Sequence, residues 1–293
     1  MRTEADHRAR FLSAALRLCA AIVALLLDAC GGGGSPASEP AVELPGVEIG
    51  IVTTDLPKPE GLAFDSAGNL HVSLELPGGK GRVLRIAPNG SVSTVAGGMN
   101  DPDGLVFDSE GNLFVSEEVR DGRVLRIDPD GNVSVFLNDL VGPEGLGFDP
   151  SGALVVAEHF GGRVLRVSPS GEVATLTHLR GPENLALDGS TLYVAETGAG
   201  RVVKVGPAGE VETVAVGLDS PDGIAWHHGC ERLFVGEDRD GGARILRIET
   251  DGRLMTLVSG LRGVQGLAIA PDGSLYAAEQ GRRRIIRLSG ALC

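Results

Sequence analysis

A short phrase of the form Pro-acid-Gly-Leu, followed by a turn, recurs along this chain. The copies are "PEGLAFD" (59–65), "PDGLVFD" (102–108), "PEGLGFD" (143–149), "PENLALD" (182–188), "PDGIAWH" (221–227) and a divergent "VQGLAIA" (264–270). Their third positions are 39 to 43 residues apart. The runs between them are short, rich in β-branched residues and bounded by Gly, Pro, Asp or Ser, which is typical of strands and hairpin turns. A period of this length made only of strands predicts an all-β fold, a six-bladed β-propeller with one repeat per blade.

The last repeat lacks a fourth strand, because the chain ends at "RIIRLSGALC" (284–293). The segment "IGIVTTDL" (49–56) matches "LMTLVSGL" (254–261) and "VETVAVGL" (211–218), the fourth strands of two other repeats. We therefore expect residues 49–56 to complete blade six as its outer strand. This arrangement closes the ring and hides sheet edges that would otherwise invite association. The propeller is predicted to span residues 46–293 and to be a monomer.

The formal net charge is −13, which disfavours nucleic acid and anionic membrane surfaces as partners. It favours metal cations or cationic ligands instead.

Residues 1–29 have the pattern of a signal peptide. Four arginines precede the apolar run "LCAAIVALLL" (18–27), which is too short to span a bilayer. The sequence "LLDAC" (26–30) resembles the lipobox of bacterial lipoproteins, which implies a lipid on Cys30, and residues 30–45 then read as a flexible tether. By the sorting rule of that family, Gly31 after the cysteine implies outer-membrane placement in the bacterial cell envelope. The alternative is an ordinary secretory signal cut nearby, which leaves a secreted protein.

We number the strands of each blade a to d from the channel outward. The loops that lead into strand a, and those between strands b and c, lie on one face, which we call the top face. Cys230 and Cys293 are both expected on the opposite, bottom face of neighbouring blades, where an oxidising compartment would let them form a disulfide. The alternative is a pair of free thiols too far apart to bridge.

The acids of the repeated phrase begin the innermost strands, so we expect them to converge at the mouth of the central channel. We call these residues the channel acids: Glu60, Asp103, Glu144, Glu183 and Asp222, with Gln265 at the sixth position. Carboxylates held together repel one another unless a cation or proton relieves the repulsion. Oxygen ligands suit Ca²⁺ best, and then Mg²⁺ or Mn²⁺. The alternative is that each acid accepts hydrogen bonds from backbone amides in its own turn.

A second set of acids ends strand b, and we call these the brace acids: Glu117, Glu158, Glu196, Glu237 and Glu279, with Leu74 in blade one. Each precedes, by five to seven residues, the arginine that opens strand c. Such pairs face each other across a hairpin, so we predict structural ion pairs rather than chemistry. His159, next to Glu158 in a top-face loop, is a candidate for proton transfer.

The consensus "P[ED]GLxFDxxGNLxVxE…GRVLRIxPxG" over residues 46–293 resembles the six-bladed propellers of the NHL-repeat and senescence-marker-protein/gluconolactonase group. In the gluconolactonase branch the resemblance implies a divalent cation at the channel mouth, held by a Glu, two Asn and an Asp. Glu60 and Asp222 match the Glu and the Asp, while acids replace the Asn residues, with Glu144 and Glu183 the nearest equivalents. Asp222 would then act as the base that activates water against a lactone or ester.

The resemblance leaves three functions open. The first is an envelope-anchored hydrolase of a small lactone or ester with a central divalent cation. The second is a non-catalytic propeller that binds a protein, peptide or glycan on its top face. The third is an enzyme similar to the streptogramin lyases, which need a His/Glu pair, for which Glu158 and His159 are the candidates.

Overall fold

The computed structural model describes residues 39–293, which form six four-stranded antiparallel sheets arranged as the blades of a β-propeller. The predicted all-β, six-bladed fold is therefore confirmed. Among these residues no helix has the length and apolarity needed to cross a membrane. The predicted signal peptide, the predicted lipidation site at Cys30 and most of the predicted tether lie outside the described residues.

Blades one to four each run from strand a to strand d in chain order. Blade one contains β3 (Pro59–Phe64), β4 (Leu70–Leu74), β5 (Gly81–Ile86) and β6 (Val92–Met99). Blade two contains β7 (Pro102–Phe107), β8 (Leu113–Glu117), β9 (Gly122–Ile127) and β10 (Val133–Leu140). Blade three contains β11 (Pro143–Phe148), β12 (Leu154–Glu158), β13 (Arg163–Val167) and β14 (Val173–His178). Blade four contains β15 (Pro182–Asp188), β16 (Thr191–Glu196), β17 (Arg201–Val205) and β18 (Val211–Val216).

Blades five and six use strands from the beginning of the described chain. Blade five contains β19 (Pro221–His227), β20 (Arg232–Glu237), β21 (Ala243–Ile248) and β22 (Leu254–Leu261), with the short β1 (Ala41–Val42) paired outside β22. Blade six contains β23 (Val264–Ile269), β24 (Leu275–Glu279), β25 (Arg284–Gly290) and, as its outer strand, β2 (Val47–Thr53). The predicted closure by an N-terminal strand is confirmed. Two 3-10 turns, Thr197–Ala199 and Gln280–Arg282, follow β16 and β24.

The hydrophobic core is divided into six clusters, each shared by two neighbouring blades. The cluster between blades six and one, for example, packs Ala278 and Ile285 against Val72 and Leu74, all of them fully buried. Every blade is thus held by apolar burial on both sides, and no blade can move without exposing two clusters. The ring of first strands is positioned rigidly as a result.

Candidate cation site at the channel mouth

The glycine of the repeated phrase lets neighbouring first strands approach closely. A Cβ atom on Gly104 would lie 2.2 Å from the carbonyl oxygen of Glu144, and one on Gly223 would lie 1.8 Å from that of Gln265. No side chain can be accommodated at such distances, so the phrase needs Gly for packing around the channel. Ser116 in strand b stabilises the contact between the first strands of blades two and three, because its Oγ donates a hydrogen bond to the carbonyl of Glu144 at 2.6 Å.

The structure brings all five channel acids to one cavity of about 300 Å³ at the mouth of the channel. Glu60, Asp103, Glu144, Asp222 and the sixth-position Gln265 are each no more than 8% exposed, and Glu183 is partly buried. The convergence follows directly from the position of each acid at the start of an innermost strand.

Backbone amides do not satisfy these carboxylates, contrary to the alternative raised by the sequence. Within residues 39–293 no main-chain N–H donates to a channel acid. Two side-chain amides do so: Asn184 Nδ2 donates to Asp222 Oδ1 at 2.7 Å, and Gln280 Nε2 donates to Glu60 Oε1. Asn184 stands where other blades carry the phrase glycine. The Thr197 hydroxyl is a further partner of Glu183, and several of the other carboxyl groups have carboxyl groups as neighbours.

Burial raises the pKa of every channel acid, and repulsion between neighbouring carboxylates raises most of them further. The pKa of Glu183 rises to about 8, mainly through burial. Three carboxyl pairs lie within hydrogen-bonding reach: Glu60–Glu75, Glu118–Glu144 and Glu183–Asp222. Such a pair is stable only when a proton or a cation lies between its oxygens.

The sequence reasoning named His159 but missed the rest of a second layer of residues around the mouth. Each of its members directly follows the last residue of strand b: Glu75, Glu118, His159, Thr197, Asp238 and Gln280. All but Thr197 line the cavity with the channel acids. Burial raises the pKa of Glu118 and Asp238, so the second layer adds further carboxyl groups to a site already crowded with them.

A backbone corner repeated in all six blades positions this second layer. The residue before the first position of the phrase has a positive φ in every blade: Lys58 (44°), Asp101 (47°), Gly142 (62°), Gly181 (58°), Ser220 (51°) and Gly263 (58°). Its carbonyl accepts the amide N–H of the second-layer residue, as in Glu118 N to Asp101 O at 2.8 Å and His159 N to Gly142 O at 2.7 Å. Three of these corners hold side chains in a conformation that favours glycine, a form of strain that concentrates at functional sites.

His159 lies between two channel acids. Its Nδ1 is 3.4 Å from Glu144 Oε1 and 3.2 Å from Glu183 Oε1, yet this buried atom has no hydrogen bond of acceptable geometry within the described chain. Burial lowers the pKa of His159, which favours the neutral ring with a free lone pair. The expected partner, Glu158, is instead bound to Arg163. His159 therefore belongs with Glu144 and Glu183.

The brace acids form the predicted ion pairs in all five blades that carry them, so this prediction is confirmed. The pairs are Glu117–Arg123, Glu158–Arg163, Glu196–Arg201, Glu237–Arg244 and Glu279–Arg284. Each acid also accepts a backbone N–H from the loop leading into strand a, as Glu158 does from Val141 at 2.8 Å. Blade one has lost both partners, because Leu74 replaces the acid and Pro57, which has no N–H, stands where the donor would be.

On the bottom face Cys230 and Cys293 form a disulfide, with their Cα atoms 5.6 Å apart. Cys230 lies in the turn between β19 and β20, and Cys293 ends the chain beyond β25. The bridge therefore fixes the C-terminus to the neighbouring blade.

The channel mouth fits a divalent cation. Glu144, His159 and Glu183 each offer one ligand atom, and these atoms all lie within 4.8 Å of one another. The buried, unpartnered Nδ1 of His159 and the facing carboxylates supply lone pairs that lack donors. Carboxylate oxygens suit Ca²⁺, Mg²⁺ and Mn²⁺, and an imidazole nitrogen in the set adds weight to Mn²⁺.

Comparison with known proteins identifies the class by its fold. No family model matches the chain, and no curated protein matches it. Among solved structures, a gluconolactonase from Xanthomonas campestris has a TM-score of 0.72 at 19% identity, covering 87% of this chain and 98% of that one. A protein described as a candidate gluconolactonase has a TM-score of 0.69 at 17% identity, covering 85% and 94%.

A streptogramin B lyase is also similar, with a TM-score of 0.60 at 14% identity, covering 84% of this chain and 98% of the other. The chain is thus a six-bladed β-propeller whose structural neighbours are gluconolactonases and streptogramin B lyases. At these identities the likeness establishes the fold.

Proposed function

We propose that the channel mouth binds a divalent cation, Ca²⁺ above Mg²⁺ and Mn²⁺, and that the protein hydrolyses a small lactone or ester there. The observation that supports this most is the convergence of five carboxyl groups, four of them buried, around a histidine whose Nδ1 is buried without a hydrogen-bond partner. Glu144 and Glu183 would hold the ion, with Glu60, Asp103 and Asp222 as the other candidate oxygen ligands, and His159 would join them only if the ion is Mn²⁺. A bound ion would polarise a carbonyl oxygen as a Lewis acid.

Asp222 is the best-placed base. Burial and repulsion by Glu183 raise its pKa well above the ordinary range, which makes it a stronger proton acceptor than an exposed aspartate. The hydrogen bond from Asn184 fixes one oxygen of Asp222, and the carboxyl group of Glu183 is its other neighbour. Asp222 would take the proton of the attacking water, while Asn184 holds the carboxylate in orientation.

The charge of the mouth selects among substrates. Besides the channel acids, the cavity contains Glu75, Glu118 and Asp238, and its lining cations are Lys58 and, when protonated, His159. Lys58 is already paired with Glu75. An anionic substrate would be repelled, so we expect a neutral or cationic lactone or ester.

Calorimetric titration with Ca²⁺ and with Mn²⁺ tests the cation site. Binding is expected in the wild type and is expected to weaken strongly in Asp222→Asn and Glu60→Gln. Asp251→Asn, which removes an exposed carboxylate from a bottom-face turn, is the matched control and should leave binding unchanged. If neither ion binds below millimolar concentration and the channel substitutions change nothing, the cation site is wrong. Turnover of a lactone and aryl-ester panel, with and without chelator, then tests hydrolysis.

A lyase is the second candidate, favoured by the position of His159 between two carboxylates. In that role His159 would abstract a proton from the substrate, and Glu144 and Glu183 would stabilise the imidazolium that forms. Reaction in H₂¹⁸O separates the two candidates. Hydrolysis places one ¹⁸O atom in the acid product, whereas elimination places none.

We also propose that the propeller lies outside the cytoplasm, where a lipid on Cys30 would anchor it to the bacterial envelope. This proposal rests on the sequence of residues 26–30, and mass spectrometry of the mature N-terminus tests it.

A further inference from the structure

Phe160 differs from every other exposed large apolar side chain of residues 39–293. Nine of the ten lie on the outermost strands of their blades: Val42, Ile51, Val92, Val133, Val135, Phe136, Val173, Val211 and Val216. Phe160 alone lies in a loop between strands b and c, on the top face, and it is 46% exposed. It belongs to none of the six hydrophobic clusters, so core packing does not account for it.

The Phe160 ring is held in one position. A Cβ atom on Gly142 would lie 2.4 Å from its Cδ2, which shows how closely the ring packs on the backbone of the corner before β11. The His159 ring meets it edge to face, with the centroids 5.2 Å apart. The guanidinium of Arg120, from the equivalent loop of blade two, lies 5.6 Å from the ring centroid. Three contacts fix the ring, and nearly half of it still faces solvent.

The ring lies at the edge of the acidic cavity. Its neighbour in sequence, His159, lines that cavity and lies 3.2 Å from Glu183. On the blade-one side the mouth is lined instead by Lys58, Glu60 and Glu75, all charged. The mouth therefore differs in chemical character from side to side: carboxylates line most of it, and a rigid aromatic surface lies beside His159. Aromatic rings held in this way bind planar apolar groups by stacking or edge contacts.

We propose that Phe160 determines substrate specificity, and that the substrate carries an aromatic or planar apolar group next to the reacting carbonyl. This inference rests on the proposed hydrolysis at the channel mouth. The carbonyl would enter the acidic cavity, and the apolar group would lie outside it against the exposed part of the Phe160 ring. A bare polyhydroxylated lactone would leave the ring without a partner.

Two uncharged lactones that differ by a fused benzene ring test the proposal. We would measure kcat/KM for δ-valerolactone and for dihydrocoumarin with the full chain, as wild type, Phe160→Ala, Phe160→Tyr and Phe136→Ala. Phe136 is the matched control, because it is an exposed phenylalanine on the outer strand β10. For each variant we would take the ratio of kcat/KM for dihydrocoumarin to kcat/KM for δ-valerolactone. When this ratio is compared between variants, the difference in intrinsic reactivity between the two lactones cancels.

Phe160→Ala is expected to lower the dihydrocoumarin preference about two- to tenfold. Phe160→Tyr, which keeps the ring, and Phe136→Ala are expected to leave the preference unchanged. An equal fall for both lactones in Phe160→Ala, or no fall, would overturn the proposal.

A binding measurement decides the question if neither lactone is hydrolysed, in which case the proposed hydrolysis itself has failed. The acidic mouth attracts cations, so the affinities of benzyltrimethylammonium and tetramethylammonium are compared by NMR titration. The benzyl compound is expected to bind more tightly to the wild type and to Phe136→Ala, and to lose this advantage in Phe160→Ala. Equal loss of both affinities, or an unchanged advantage, would show that Phe160 is not the apolar contact.

Discussion

The channel acids and the brace acids lie on the same face of the propeller and share blades two to five, but only the brace acids are paired with arginines. Glu158 in blade three is fully buried, paired with Arg163 and bonded to the N–H of Val141. Glu144 in the same blade is almost as buried but has other carboxyl groups and a histidine as its neighbours. Satisfied buried charges hold a fold together, whereas unsatisfied ones are tolerated where a ligand completes them. This difference makes the channel mouth the candidate functional site of a repetitive molecule.

Replacing one glutamate by glutamine in each set of acids tests the comparison most sharply. The brace-acid variant Glu158→Gln should show the largest change in the free energy of unfolding. It leaves Arg163 without its charge partner beside a buried site, and breaking such a pair costs about 3–5 kcal/mol. Because Arg163 is partly exposed, the lower end of this range is expected. Urea denaturation of the wild type and the variant measures the change in the free energy of unfolding. An unchanged midpoint would remove the distinction between the two sets of acids.

Loss of the bottom-face disulfide should come next in size and should leave the channel mouth unaffected. Cys230→Ser is expected to lower the free energy of unfolding by about 2–4 kcal/mol, because the C-terminus is no longer fixed to blade five. Peptide mapping without reduction should recover Cys230 and Cys293 in one linked peptide. Cation affinity in Cys230→Ser serves as the control, since a fall there would mean that any loss of stability perturbs the site.

The channel-acid variant Glu144→Gln should change the free energy of unfolding in the opposite direction to Glu158→Gln. In divalent-free buffer it removes one of several carboxylates that repel one another, so stability is expected to rise by about 1 kcal/mol. The same variant should lose most of its stabilisation by Ca²⁺. A loss of stability comparable to that of Glu158→Gln would mean that the channel acids are structural as well.

Between pH 7 and pH 8.5 the pH dependence of the divalent-free protein should be similar in size to the effect of Glu144→Gln. Burial raises the pKa of Glu183 to about 8, above its value in the unfolded chain. Its contribution to stability is therefore fully present below pH 4.5 and is lost as the pH rises through 8. Between pH 7 and pH 8.5 the expected loss is about 1 kcal/mol. Thermal unfolding should show this loss in the wild type and less of it in Glu183→Gln or with saturating Ca²⁺.

The repeat made the fold and the two sets of acids readable from the sequence. A period of about forty residues, a missing last strand and a matching segment at 49–56 define the closed ring, because blades can only stack in order. The brace pairs were equally accessible, since Glu158 and Arg163 face each other across a single hairpin. Both inferences depend on neighbours within one or two strands.

The second layer could not be read in the same way. Glu118 and Asp238 lie just beyond strand b, where the period of two no longer tells which way a side chain points. Their direction depends on corners such as Asp101 and Ser220, whose positive φ is unusual for residues other than glycine. A comparison of the residue after each brace position would have shown three acids and one histidine, which was the available signal.

Closure by β2 has a consequence for how the protein is synthesised. Strand β2 has its partner, β25, some 240 residues later, so a ribosome must produce nearly the whole chain before the ring can close. Until then Glu60 is separated from Asp222 and Gln265, and the channel mouth of the nascent polypeptide is incomplete. If the proposed site binds a metal ion, it can do so fully only after translation of this domain is over.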